Sequence, residues 1–243
     1  MVRVAERSDI GAGVWTITLD RPERRNAVDH ATLLQLLDAQ RALADARVVV
    51  LTGEPPAFCA GADLTGVEAA AFNSALERVL HGFTTMAGPV IAAIDGPALG
   101  AGAQLAAVCD LRVATPESIV GVPAARLGLV IDRWTIDRLR TEFGSATARG
   151  MLLAAETYTG ERLHASGAVH RLGELDDALD WAGKIAALAP LSVAAHKVGL
   201  DPVPTAEHRD RFEALRSAAW ASDDAVEGRT AFLEKRRPEF RGR

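Results

Sequence analysis

The pattern of apolar and polar positions changes character along this chain. Residues 14–19 (VWTITL) alternate apolar and polar side chains, the period of a half-buried strand. Residues 48–52 form a β-branched run, and residues 90–94 (VIAAI) form another apolar run. Runs of this length, closed by turn residues, predict buried strands. Two more short strands are predicted at 111–114 and 119–122. Helical stretches lie between them, from 29 or 30 to 46, about 68–86, and 103–108. From Trp134 onward nearly everything reads as helix: 134–143, 145–154, 161–166, 175–189, 191–200, 206–221 and 223–235. Glycines and prolines punctuate these segments, and Ser222-Asp223-Asp224 is a good N-cap cluster for the last. Strands alternating with helices predict an α/β sheet, and the shift near residue 130 sets off an all-helical part.

Two turns follow buried strands in the same way. The strand at 90–94 runs through Asp95-Gly96-Pro97 to Gly100-Ala101-Gly102 and a small-residue helix. The strand at 48–52 runs to Ala57-Phe58-Cys59-Ala60-Gly61-Ala62-Asp63-Leu64. A helix N-terminus carries unpaired N–H donors and the positive end of its dipole, so it holds anions or developing oxyanions. Two such turns aimed at one carbonyl oxygen make an oxyanion hole, where losing a donor costs ~10²–10³ in rate. From the residues alone the packing reading comes first, since most Gly/Ala turns are only tight packing of small residues.

Composition narrows the classes. The 243 residues are 49% hydrophobic and 24% charged, ordinary for a globular chain. A chain of this size buries roughly 70–75% of its unfolded surface, so the core needs no staples. The net charge of -5 argues against a basic nucleic-acid binder. Cys59 and Cys109 stand far apart with no CxxC, and read as reduced, buried small residues. No run of apolar residues has the length of a membrane span, and MVRVAERSD has no apolar signal core. A cytoplasmic location is the expectation. No metal site is expected, since the six histidines lack ligand spacing.

AFCAGADL, the block IDGPALGAGAQLAAVCDLRVA and the early RPERRNAV resemble the enoyl-CoA hydratase/isomerase family, the crotonase superfamily. The resemblance runs to EGRTAFLEKRRPEF near the end. It implies a crotonase (ClpP-like) fold, in which repeated ββα units form a spiral sheet core. It also implies a core over 1–190 and a C-terminal helical trimerisation region over 191–243, in a homotrimer or dimer of trimers. The implied ligand is an acyl-CoA, with coenzyme A as part of the ligand and no resident cofactor. By resemblance, Arg24, Ala60, Asp63, Leu64, Phe232 and Lys235 fall at coenzyme A-binding positions. Ala62 and Ala101 fall at the two oxyanion-hole N–H groups.

The proton-handling residues depart from the family. Gln104 stands where the first family glutamate falls, and Ala124, in Pro123-Ala124-Ala125-Arg126-Leu127-Gly128, where the second does. Glutamine orients a water without taking its proton at neutral pH, and alanine does neither. General acid–base groups are worth ~10²–10⁴ each, so efficient hydration is not expected. One carboxylate remains nearby. Asp132 is either an acid/base in an apolar setting or the cap of the helix at Trp134. Three readings follow: an acyl-CoA binder or carrier with little hydratase activity, an isomerase or other thioester enzyme using Asp132, and an ordinary hydratase.

Overall fold

The computed structural model describes residues 1–63, 69–200 and 206–243, and leaves the side chains of 69, 206–209, 232 and 233 undescribed. Strands β1 (Val2–Glu6), β2 (Val14–Leu19), β3 (Val48–Gly53), β4 (Val90–Ile94), β6 (Leu111–Ala114) and β9 (Arg171–Leu172) form a six-stranded sheet in the order β1-β2-β3-β4-β6-β9. Only the β1–β2 pair is antiparallel there. Strands β5 (Pro97–Leu99), β7 (Ile119–Gly121) and β8 (Thr157–Thr159) form a second, three-stranded sheet.

Period two explains how the large sheet is covered. Strands β3 and β4 are buried throughout, as parallel strands between helical layers must be. Val48, Val50, Ile91 and Ala93 pack with Ala178, Leu179 and Ala182 of α7 (Leu175–Ala186). Their neighbours Val49, Leu51, Val90, Ala92 and Ile94 belong to the main core. That core also takes side chains from α1 (His30–Ala42), α2 (Ala69–Thr85) and α3 (Ala101–Val108), including Leu33, Phe83 and Leu105. Each fully buried side chain of this kind contributes about 1.5–3 kcal/mol. Cys59 and Cys109 are buried free thiols within it, and desolvation pushes both up to about 12.

The chain past residue 130 is helical apart from short strands: α4 (Arg133–Phe143), α5 (Ser145–Leu153), α6 (Gly160–Ala165), α7, then α8 (Pro190–Leu200), α9 (Ala206–Ala221) and α10 (Asp223–Glu234). A buried lysine fastens α8 to the core. Lys197 Nζ pairs with Asp110 at 2.8 Å and donates to the carbonyls of Phe83 and Gly88. Arg47 reaches the carbonyls of Ala186 and Phe240, which ties the C-terminal tail to the strand layer. Among the described residues, no single helix is long and apolar enough to cross a membrane.

Four short strands differ from the sequence reading, which has no strand at β1, β5, β8 or β9. Three of them span only two or three residues, too few to show a period. Helix α1 ends at Ala42 rather than 46, and α3 starts at Ala101 rather than 103. The second difference matters to the site.

Candidate functional site

The two glycine-containing turns run side by side. Cys59 and Ala98 form a parallel bridge. The Cys59 N–H donates to the Pro97 carbonyl at 3.0 Å, and the Leu99 N–H donates to the Cys59 carbonyl at 2.9 Å. Three residues further along each strand of this pair stand Ala62 and Ala101. Glycines permit the approach. Gly61 has φ +122°, and a Cβ on Gly102 would sit 2.1 Å from the Cys59 carbonyl oxygen.

Among the described residues, both alanine amides are left without acceptors. Ala101 is the first residue of α3, so its N–H has no carbonyl a turn earlier. Ala101 is also absent from the positive-φ residues, so its methyl is accommodated without backbone strain. Ala62 pairs with Val28 in a parallel bridge, whose bonds are made by Val28 N–H to Gly61 O and Asp63 N–H to Val28 O, both at 2.8 Å. The Ala62 N–H therefore faces away from Val28. Among the described residues neither amide has a partner.

Gln104 lies one turn into α3, with its N–H on the Gly100 carbonyl at 3.1 Å and only 6% of its surface exposed. Its carboxamide has no partner among the described residues, yet every fully enclosed side-chain polar atom has one. Part of the carboxamide therefore borders free space rather than packed atoms. The Gly100 N–H donates to Gly121 at the end of β7, which leads into a 3₁₀ turn over Pro123–Leu127. Ala124, on that turn, is partly buried against the core and presents a methyl group. An apolar groove of about 400 Å³ begins there, lined by Leu129, Ile131, Ile136 and Leu152 among others.

Asp132 is exposed and caps α4. One carboxylate oxygen accepts from the Thr135 N–H at 2.9 Å and the other from the Thr135 hydroxyl at 2.6 Å. The apolar setting expected for an acid/base is therefore corrected: local hydrogen bonding at a helix start places this side chain at the surface.

The basic turn does meet the first glycine turn. Arg24 ends a 3₁₀ turn and is exposed, and the neighbouring Arg25 carbonyl accepts from the Ala60 N–H at 2.9 Å. Asp63 is not an open contact, because its carboxylate pairs with Arg21 at 3.3 Å. Leu64 lies outside the described residues. Lys235 is exposed just past α10, which carries Phe232, and no hydrogen bond or ion pair among the described residues joins that segment to the Arg24 turn. Among the described residues, no three His, Cys, Asp or Glu side chains are grouped to hold a metal ion.

Two organising residues escaped the sequence reading. Asn26, 1% exposed, donates to the carbonyls of Glu54 and Ala57 and accepts from the Arg21 N–H. Arg21 in turn holds the Ala27 carbonyl, Asp29 and Asp63. The available signal was the asparagine itself, a residue that tolerates the φ of +57° found there.

The comparisons with known proteins agree on one family. The family model for enoyl-CoA hydratase/isomerase matches residues 9–243. A probable enoyl-CoA hydratase, echA6, of Mycobacterium bovis is 43% identical over 94% of this chain and 96% of its own length. The 2,3-dehydroadipyl-CoA hydratase of Escherichia coli is 34% identical over 95% of this chain and 96% of its own. Among solved structures, an enoyl-CoA hydratase of Mycobacterium smegmatis has a TM-score of 0.87 at 31% identity, covering 98% of both chains. An enoyl-CoA hydratase/carnithine racemase of Magnetospirillum magneticum has a TM-score of 0.87 at 29% identity, over 100% of this chain and 96% of that one. The chain has the crotonase fold and belongs to the enoyl-CoA hydratase/isomerase family.

Proposed function

We propose that this protein binds fatty acyl- and enoyl-CoA thioesters and hydrates them little or not at all, acting as an acyl-CoA binder or carrier in lipid metabolism. The reading is supported by two amides, Ala62 and Ala101, that have no partner among the described residues, together with the neutral Gln104 and Ala124 at the positions that by resemblance handle protons. The amides polarise a thioester carbonyl through main-chain hydrogens, aided by the N-terminal dipole of α3. Gln104 holds a water or a carbonyl but takes no proton at neutral pH. Replacing two carboxylates by neutral side chains also removes their desolvation cost, which favours a buried alkyl chain at ~0.8 kcal/mol per methylene.

Coenzyme A enters as part of the ligand, its phosphates beside the Arg24 turn and, across a subunit boundary, beside Phe232 and Lys235. The expected assembly is a homotrimer or dimer of trimers built through residues 191–243, in the cytoplasm. A second reading, a working hydratase or isomerase with Asp132 as acid/base, draws support from the names of the relatives. The capping hydrogen bonds of Asp132 weigh against it.

The test pairs two measurements on the wild-type protein. Calorimetric titration with decanoyl-CoA should give saturable binding, while absorbance of a short and a long enoyl-CoA should show no enzyme-dependent loss of the conjugated double bond. Brisk turnover abolished by Asp132→Asn would favour the second reading. Absence of any acyl-CoA binding would remove the first.

A further inference from the structure

Val28 holds the chain on both sides of Ala62. Its N–H donates to the Gly61 carbonyl, and its own carbonyl accepts the Asp63 N–H, both at 2.8 Å. In such a parallel bridge the embraced residue turns its own N–H the other way. The direction of the Ala62 N–H is therefore only as fixed as Val28 is against residues 61–63.

Arg21 spans both sides of that bridge. Its Nη1 donates to the Ala27 carbonyl at 2.6 Å, one residue before Val28. Its Nη2 lies 3.1 Å from Asp29 Oδ2, one residue after Val28, and 3.3 Å from Asp63 Oδ2, one residue after Ala62. The side chains of Arg21, Asp29 and Asp63 are 17%, 29% and 11% exposed, so these are not the open surface pairs that contribute little.

The clamp is itself anchored. The Arg21 N–H donates to Asn26 Oδ1 at 2.8 Å, and its carbonyl accepts from the Arg24 and Asn26 N–H groups at 2.9 Å. Asp29 caps α1, with Oδ1 accepting from the Thr32 N–H and hydroxyl at 2.7 Å. A planar guanidinium reaches a carbonyl and two carboxylates at once, which a single ammonium on a flexible stem does less well.

We propose that Arg21 is a positioning residue for the thioester: by gripping Asp63 and Ala27 it locks the Val28–Ala62 bridge and aims the Ala62 N–H at the thioester oxygen. The inference rests on the acyl-CoA reading above and assigns one residue within it. Asp63 separates geometry from charge. As a negative charge one residue from Ala62, it opposes charge developing on the thioester oxygen. As the handle for Arg21, it holds the amide that stabilises that charge.

The experiment is infrared difference spectroscopy of decanoyl-CoA labelled with ¹³C at its thioester carbonyl, at saturating ligand, on wild-type protein, R21Q and D63A. Urea unfolding of each variant runs in parallel. In wild type the carbonyl band should lie below that of the free thioester, and in both variants it should return most of the way towards the free position. A purely structural Arg21 would lower the urea midpoint and leave the band of bound ligand where it is in wild type, which would overturn the proposal. A band in D63A that stays put or moves lower still would overturn it as well, because loss of charge alone predicts that outcome. If R21Q does not fold, D63A decides by itself. Each of these contrary results leaves the acyl-CoA reading standing. A wild-type protein that binds decanoyl-CoA with an unshifted band would overturn the proposal together with the polarising role of the amides. One that does not bind it would remove the acyl-CoA reading too.

Discussion

Cys59 and Ala98 face each other in a parallel bridge, and that pairing brings the turn at Gly61 beside the turn at Gly100. Ala62 and Ala101 each stand three residues beyond this bridge, on segments distant in sequence that this register joins. Gly102 is what allows the contact, because α3 passes directly over the Cys59 carbonyl.

Gly102→Ala should therefore damage the site from within. Its methyl would meet a backbone carbonyl rather than a flexible side chain. Overpacking of this kind costs about 1–3 kcal/mol. Urea unfolding should show the loss, and decanoyl-CoA affinity should fall with it. Unchanged affinity in a folded variant would mean that the register of the two turns is not what binds ligand.

Asn26 makes a separate prediction. Asn26→Ala leaves the buried Ala57 carbonyl and the Arg21 N–H without their partner. An unsatisfied buried group costs about 1–3 kcal/mol, read as a shift of the urea midpoint. Because this side chain links the Arg24 turn to the loop before Cys59, binding of free coenzyme A should weaken too. A variant as stable as wild type would contradict the pinning role.

Asp132 separates capping from chemistry. Asp132→Ala should lower stability by about 0.5–2 kcal/mol, and Asp132→Asn should keep most of it, as N-cap residues do. Acyl-CoA binding should be the same in both. If Asp132→Asn instead abolished a measurable turnover at full stability, the carboxylate would be chemical.

His170 supplies a pH dependence. Its Nδ1 accepts the Arg112 N–H at 3.1 Å, and although the residue as a whole is exposed, partial desolvation of the ring, with the charge of Arg112 adding to it, pushes the imidazole down to about 4. An unfolded histidine titrates at about 6.5, so between those values the unfolded chain binds a proton that the folded chain refuses. Stability contributed by this group is present above about pH 6.5 and is lost as pH falls towards about 4. The wild-type urea midpoint should drop more between about pH 7 and about pH 5 than that of His170→Asn, which keeps an acceptor and does not titrate. Equal slopes would contradict the assignment.

Much of the fold was legible because its long elements carry a period. The strands at 14–19 and 90–94 and the helix Ala206–Ala221 have the bounds that the pattern predicts. Strand β5 was not legible, since Pro97–Leu99 follows a glycine turn and becomes a strand only by pairing with β7. The site was half legible. Gly61 and the glycines around Ala101 mark the turns, but their meeting depends on a long-range bridge that no local pattern encodes. The early start of α3 was hidden as well, because glycine at 102 reads as turn until the Cys59 carbonyl explains it. The two states of Asp132 were indistinguishable in sequence, and the Thr135 hydrogen bonds decide its place.

The most direct test puts acids at the two neutral positions, Gln104 and Ala124. Gln104→Glu with Ala124→Glu places one carboxylate a turn into α3 from Ala101 and the other on the 3₁₀ turn at the mouth of the groove. With each acid–base group worth ~10²–10⁴, the double variant should hydrate a short enoyl-CoA orders of magnitude faster than wild type, which should sit near background. A wild-type rate already as high as the variant's, or a folded variant that binds decanoyl-CoA and gains no hydration, would contradict a scaffold that grips its thioester without proton-handling acids.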